Sequence, residues 1–114
     1  MEKKKITKIT PGNLLELFTL GYIMKKNSEV YFKEVLDEIK KFDITWDISH
    51  GTYYPVINSM IKHGYVNYLY NYDQKKYYEI TSIGRDYYNS NSQNYKELLN
   101  KTSEFYTDIA RILP

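Results

Sequence analysis

Three residues in one short stretch could carry a reaction: Asp43, Asp47 and His50. Two carboxylates beside an imidazole suit general acid–base catalysis, in which groups of matched pKa pass a proton. Neither a nucleophile nor a glycine-rich phosphate loop adjoins them, and the stretch reads as a linker running into a helix start, so catalysis is not expected. Metal binding fares no better. The chain has no cysteine, and His50 and His63 lack acidic partners at ligand spacing. No enzyme activity, cofactor or metal is therefore expected, and disulfides are excluded.

A second set of residues suits recognition. Ser49, His50, Thr52, Tyr54, Asn58, Ser59 and Lys62 share one side of a helical period, and all are hydrogen-bonding types. Tyr53, Ile57, Met60 and Ile61, with Val56 beside them, form the opposite face. A helix start directs free N–H groups at anions, so Ser49 to Thr52 could hold a phosphate. Gly51 removes a side chain where two backbones would approach. Asparagine can pair with adenine in two places, and a threonine methyl can touch that of thymine. A solvated polar face is the alternative reading of the same residues.

Net charge is only +2, yet Lys3, Lys4, Lys5 and Lys8 crowd the start against Glu2 alone. Lysines so placed can neutralise phosphates and release counterions, or form a solvated tail. Lysine, asparagine, isoleucine and tyrosine are abundant, a skew that suits an AT-rich genome and carries no function. At 114 residues the chain is one domain. No apolar stretch at the start is long enough for a signal peptide or a membrane span, so a cytoplasmic protein without membrane contact is expected.

The elements that position these residues follow from period and capping. Thr10-Pro11 opens a first helix, with Leu14, Leu17, Phe18 and Gly21 at helical spacing and Leu15 and Tyr22 broadening the buried face. It is nearly uncharged, so both sides should be covered, and it ends at residues 25–28. A second helix, Tyr31 to Lys41, sets Phe32, Val35, Leu36 and Ile39 against a charged side. Residues 42–48 form a linker anchored by Ile44, Trp46 and Ile48. The third helix runs from Ser49 to a stop at Gly64. The period then drops to two: residues 65–70 and 75–80 are strands around a turn at Asn71 to Gln74. Thr81 caps a last helical stretch in which Tyr88, Tyr95, Thr102 and Ile109 recur every seven residues. Residues 89–94 are poor helix formers, but the phase carries through them, favouring one helix of about 30 residues.

Three helices followed by a hairpin give the order of a winged helix-turn-helix, mainly α with a two-stranded β-hairpin. In such a fold the third helix enters the major groove and the hairpin rides over the backbone or into the minor groove. The expected division is a basic tail over residues 1–9, the winged helix over 10–80 and a carboxy-terminal helix over 81–114. The nucleic-acid candidates are Ser49, His50, Gly51, Thr52, Tyr54, Asn58 and Lys62, with Lys75 and Lys76 just past the hairpin tip.

Three stretches resemble PadR-type transcriptional regulators. Ser49-His50-Gly51-Thr52-Tyr53-Tyr54-Pro55, with Trp46 before it and Gly64-Tyr65-Val66 after it, is similar to that family's recognition-helix signature. Lys76-Tyr77-Tyr78-Glu79-Ile80-Thr81-Ser82-Ile83-Gly84-Arg85 is similar to its hairpin exit, and Leu14 to Ile23 to its first helix. Departures are His50 in place of proline, Val30-Tyr31-Phe32 at the second helix, and a short tip at Asn71 to Lys75.

The resemblance implies double-stranded DNA as partner and a homodimer built by the last helix. Tyr88, Tyr95, Leu98, Leu99, Thr102, Phe105 and Ile109 form the stripe for it; packing on the first helix within one protomer is the alternative. It also implies a candidate flat aromatic effector stacking near Tyr95. A repressor is the leading expectation. An accessory protein of plasmid partition or transfer, or phage-borne, and a winged-helix protein-interaction module are the alternatives.

Overall fold

The computed structural model describes residues 5–42 and 48–114. Lys3, Lys4, Asp43, Ile44, Trp46 and Asp47 lie outside the described residues, as does the side chain of His50.

Helix α1 (Pro11–Lys26) opens with a reciprocal cap: the Thr10 side chain accepts from the Asn13 N–H, and the Asn13 side chain accepts from the Thr10 N–H. It is buried on several sides through Leu15, Glu16, Leu17, Thr19, Leu20 and Ile23, as its lack of charge predicts. Asn27, left-handed, stops it. Helix α2 (Phe32–Lys40) buries Val35, Leu36 and Ile39, and Tyr31 stands just outside it as the cap.

Helix α3 (His50–Lys62) buries Tyr53, Val56 and Met60. Ile61, expected on that face, is 40% exposed, because the buried stripe is turned towards Val56. The helix closes with two bonds, Tyr65 N–H to the Met60 carbonyl and Gly64 N–H to the Ile61 carbonyl. Gly64 supplies the required positive φ of 76°.

Strands β1 (Val66–Tyr72) and β2 (Lys75–Ile80) pair antiparallel. Their turn is shorter than expected. Asn71 and Tyr72 pair with Lys76 and Lys75, leaving Asp73 and Gln74 as a two-residue turn with φ of 52° and 63°. Val30 adds a third, one-residue edge: it exchanges backbone hydrogen bonds of 3.0 and 2.8 Å with Tyr78. A single bridging residue has no periodicity, so nothing in the sequence announces it.

Helix α4 (Ser82–Ile112) runs unbroken for 31 residues. The weak stretch is accommodated by back-bonding: Asn91 Nδ2 donates to the Tyr87 carbonyl at 2.9 Å and Ser92 Oγ to the Tyr88 carbonyl at 2.7 Å.

Candidate nucleic-acid interface

The cap of α3, Ser49, is half-buried and makes no capping hydrogen bond from its side chain; its Oγ lies 3.4 Å from Thr52 Oγ1. Ser49 and Thr52 therefore engage each other, while Gly51, Tyr54, Pro55, Asn58 and Lys62 are exposed. Tyr54 is 59% exposed and its neighbour Tyr53 only 1%. The polar and apolar faces thus divide between these two tyrosines.

Tyr53 fixes the helix rotation. Its hydroxyl lies 2.6 Å from Thr19 Oγ1, which also reaches the Leu15 carbonyl of α1 at 2.7 Å. Its ring meets Phe32 of α2 edge to face at 6.4 Å. Burial pushes its phenol well above the ordinary range. Neutral and pinned, it cannot swing outwards without abandoning both helices.

Lysines flank the exposed face. On the side of Tyr54 and Ile61, a cleft of about 430 Å³ is lined by Tyr54, Asn58, Lys75 and Lys76, and also by Tyr31 and Lys33. The wing lysines and the recognition-helix candidates therefore share one surface. Lys75 Nζ sits 5.0 Å above the Tyr31 ring, a cation–π contact that steadies the wing against the start of α2. On the side of Pro55 and Ser59, a second cleft of about 430 Å³ is lined by Lys5, Thr7 and Lys8. Tyr31 and Lys33 escape sequence reasoning because helical period assigns one to a helix start and the other to a solvated side.

Beneath the second cleft lies Glu16, 6% exposed, accepting a hydrogen bond from the Tyr87 hydroxyl. Burial, and then this bond, push the Tyr87 phenol upwards. Tyr65 stacks on Tyr87 at 4.2 Å and is also raised, by burial and then by the Glu16 charge. A lone carboxylate in a stretch otherwise uncharged from Leu14 to Met24 is the signal that could have found this cluster.

The stripe of α4 divides into two parts. Tyr88 and Tyr95 are occupied within the protomer: Tyr88 lies against Gly21, where a Cβ would come within 2.8 Å of its hydroxyl, and Tyr95 OH donates to Asn13 Oδ1 at 2.7 Å. Tyr95 is buried, at the wall of a cleft of about 510 Å³ that Leu14, Phe18, Tyr88 and Leu99 also line. Leu98 packs against the core and Thr102 is half-buried, whereas Leu99, Phe105 and Ile109 are exposed, with Tyr106 on the same side.

Among the described residues, no helix is long and apolar enough to cross a membrane, and no cluster of His, Asp and Glu is placed to hold a metal ion.

Solved structures share this fold. A PadR-like transcriptional regulator from Bacillus cereus superposes with a TM-score of 0.64 at 24% identity, covering 82% of this chain and 92% of that one. A PadR family transcription regulator from Clostridium difficile gives 0.64 at 18%, covering 81% and 97%. A transcriptional regulator from Clostridium thermocellum gives 0.57 at 21%, covering 90% and 92%. No curated protein sequence matches significantly. The family described as transcriptional regulator PadR-like matches residues 20–90, well over half of the sequence. On that match, the chain belongs to the PadR-like family of transcriptional regulators.

Proposed function

We propose that the chain binds double-stranded DNA sequence-specifically as a homodimer and represses transcription from a pseudo-palindromic operator. One observation carries this reading: the exposed polar face of α3 shares a cleft with Lys75 and Lys76 of the wing. Tyr54 and Asn58 would read base edges. Ser49, His50, Gly51 and Thr52 would set the helix start against a phosphate, and Lys62, Lys75 and Lys76 would neutralise the backbone.

Support for a dimer comes from Leu99, Phe105 and Ile109, apolar and exposed on one side of α4. An unpartnered apolar stripe on a 31-residue helix suits a second copy of itself. Residues 10–80 would then be the reading unit and 81–114 the spacer that sets half-site separation, about 34–36 Å for one DNA turn.

Footprinting on the chain's own promoter region, beside a transcription assay, tests the reading. One protected pseudo-palindrome with reduced transcription supports it. Iterated sites without effect on transcription would favour an architectural accessory role, and no protection at all would overturn DNA reading.

A further inference from the structure

Residues 89–94 are poor helix formers, yet α4 keeps them, and two of them reach out of the helix to the amino-terminal arm. Asn91 Oδ1 accepts the Ile6 N–H at 2.9 Å, and Asn94 Nδ2 donates to the Ile6 carbonyl. From α1, Asn13 Nδ2 donates to the Lys8 carbonyl at 2.9 Å. Ile6 itself is 5% exposed and belongs to the core. The arm is thereby fastened at Ile6 and again at Lys8, while Lys5, Thr7 and Lys8 remain exposed. These lysines line the cleft beside Pro55, Val56 and Ser59, on the flank of α3 away from the wing. Among the described residues, the one acidic group of that cleft is Glu16, buried and bonded to Tyr87.

We propose that Asn91 and Asn94 are positioning residues that hold the arm as a second backbone clamp, with Lys5 and Lys8 contacting DNA phosphates opposite the wing. The inference rests on the DNA-binding reading above. A free lysine tail must lose backbone freedom before it can hold a phosphate, whereas an arm fastened by three side chains has lost it already. Cations on both flanks would centre α3 over the groove. The same asparagines lie on the helix proposed to join the two protomers, so arm placement and dimer geometry are tied together.

The test is titration of full-length protein against a mixed-sequence duplex long enough for two half-sites, across a salt series. Lys5→Gln with Lys8→Gln should weaken binding about tenfold and flatten the log–log salt slope by roughly two, near 0.9 per lost phosphate contact. Asn94→Ala should weaken binding several-fold and flatten the slope. In the lysine-neutralised background it should have no further effect, while its loss should add to that of Lys75→Ala with Lys76→Ala. An unchanged slope in the lysine variant overturns the clamp. That arm substitution is on the surface, so it decides the matter even if Asn94→Ala fails to fold. Equal weakening by Asn94→Ala in both backgrounds overturns the positioning role. Wild-type protein that binds no duplex overturns the DNA reading and the clamp together.

Discussion

A Cβ on Gly84 would meet the carbonyl oxygen of Tyr65 at 2.2 Å, so the first turn of α4 rides directly on the backbone leaving α3. Thr81 completes the joint: its N–H donates to the same Tyr65 carbonyl at 3.0 Å, its hydroxyl donates to the Gly64 carbonyl, and it accepts from the Gly84 N–H. The end of α3 and the start of α4 are thereby joined through backbone contact and hydrogen bonds. Gly84→Ala should cost at least the 1–3 kcal/mol typical of overpacking, since backbone, not a side-chain tip, is in the way. Denaturant melts read this directly. A variant as stable as wild type would mean that the joint yields easily.

The dimer is tested at Phe105, which is 63% exposed. Phe105→Glu should leave the protomer folded and produce monomers in sedimentation, because a charge placed in an apolar seam is costly. Leu98 is a poorer site, since it packs against its own core and a charge there would damage the protomer as well. Wild type that is monomeric at tens of micromolar would end the proposal.

Wing contacts should be electrostatic and indifferent to sequence. Lys75→Ala with Lys76→Ala should weaken all duplexes alike and flatten the salt slope by about one per lost phosphate contact. The short type I′ turn keeps these lysines within the ladder, beside the cleft shared with Tyr54. Unchanged affinity and slope would show that the wing stays off the DNA.

Much of this architecture was legible because caps and periods are local. Thr10-Pro11, Gly64 and Thr81 mark element ends by the backbone groups they satisfy, and the seven-residue phase carried α4 correctly through residues 89–94. What escaped depends on distant partners. Tyr95 belongs by spacing to the exposed stripe, but its hydroxyl finds Asn13 from across the fold. Ile6 stands in a lysine-rich start that reads as a tail, but Asn91 and Asn94 bond its backbone and its side chain joins the core. Ile61 fits the period of α3, yet the buried stripe centres on Tyr53, Val56 and Met60 and leaves it outside.

Alkaline pH should unfold the protein cooperatively. Burial, and then the Glu16 charge, hold Tyr95 up at about 12, from an ordinary value of 10.0. Its hydrogen bond to Glu34 does most to hold Tyr22 at about 12, and Tyr53 and Tyr87 are higher still. The unfolded chain loses these protons first, so it binds fewer than the native state above pH 10, and stability falls as pH rises. The contribution is complete below about pH 10 and disappears as pH passes the native values, near 12 for Tyr22 and Tyr95. Phenolate absorbance from Tyr53, Tyr87 and Tyr95 should appear only together with loss of helix. A single smooth titration with helix intact would contradict this.

The division between Tyr53 and Tyr54 gives the sharpest test of the role proposed for α3. Tyr53→Ala removes a fully buried ring and should cost about 3–5 kcal/mol of stability. Tyr53→Phe should cost only about 1 kcal/mol, since Thr19 keeps its bond to the Leu15 carbonyl. Tyr54→Ala and Asn58→Ala leave the core untouched and should melt like wild type. A lost base contact is worth about 1–3 kcal/mol, so each should weaken binding to the footprinted site roughly ten- to a hundredfold. Thr52→Ala should act more mildly on both, because Thr52 is half-buried against Ser49. Melting curves beside binding isotherms separate the outcomes. If Tyr54→Ala melts early while Tyr53→Ala only loses affinity, α3 is rotated from the arrangement described. If Tyr54→Ala and Asn58→Ala both bind normally, this helix does not read DNA.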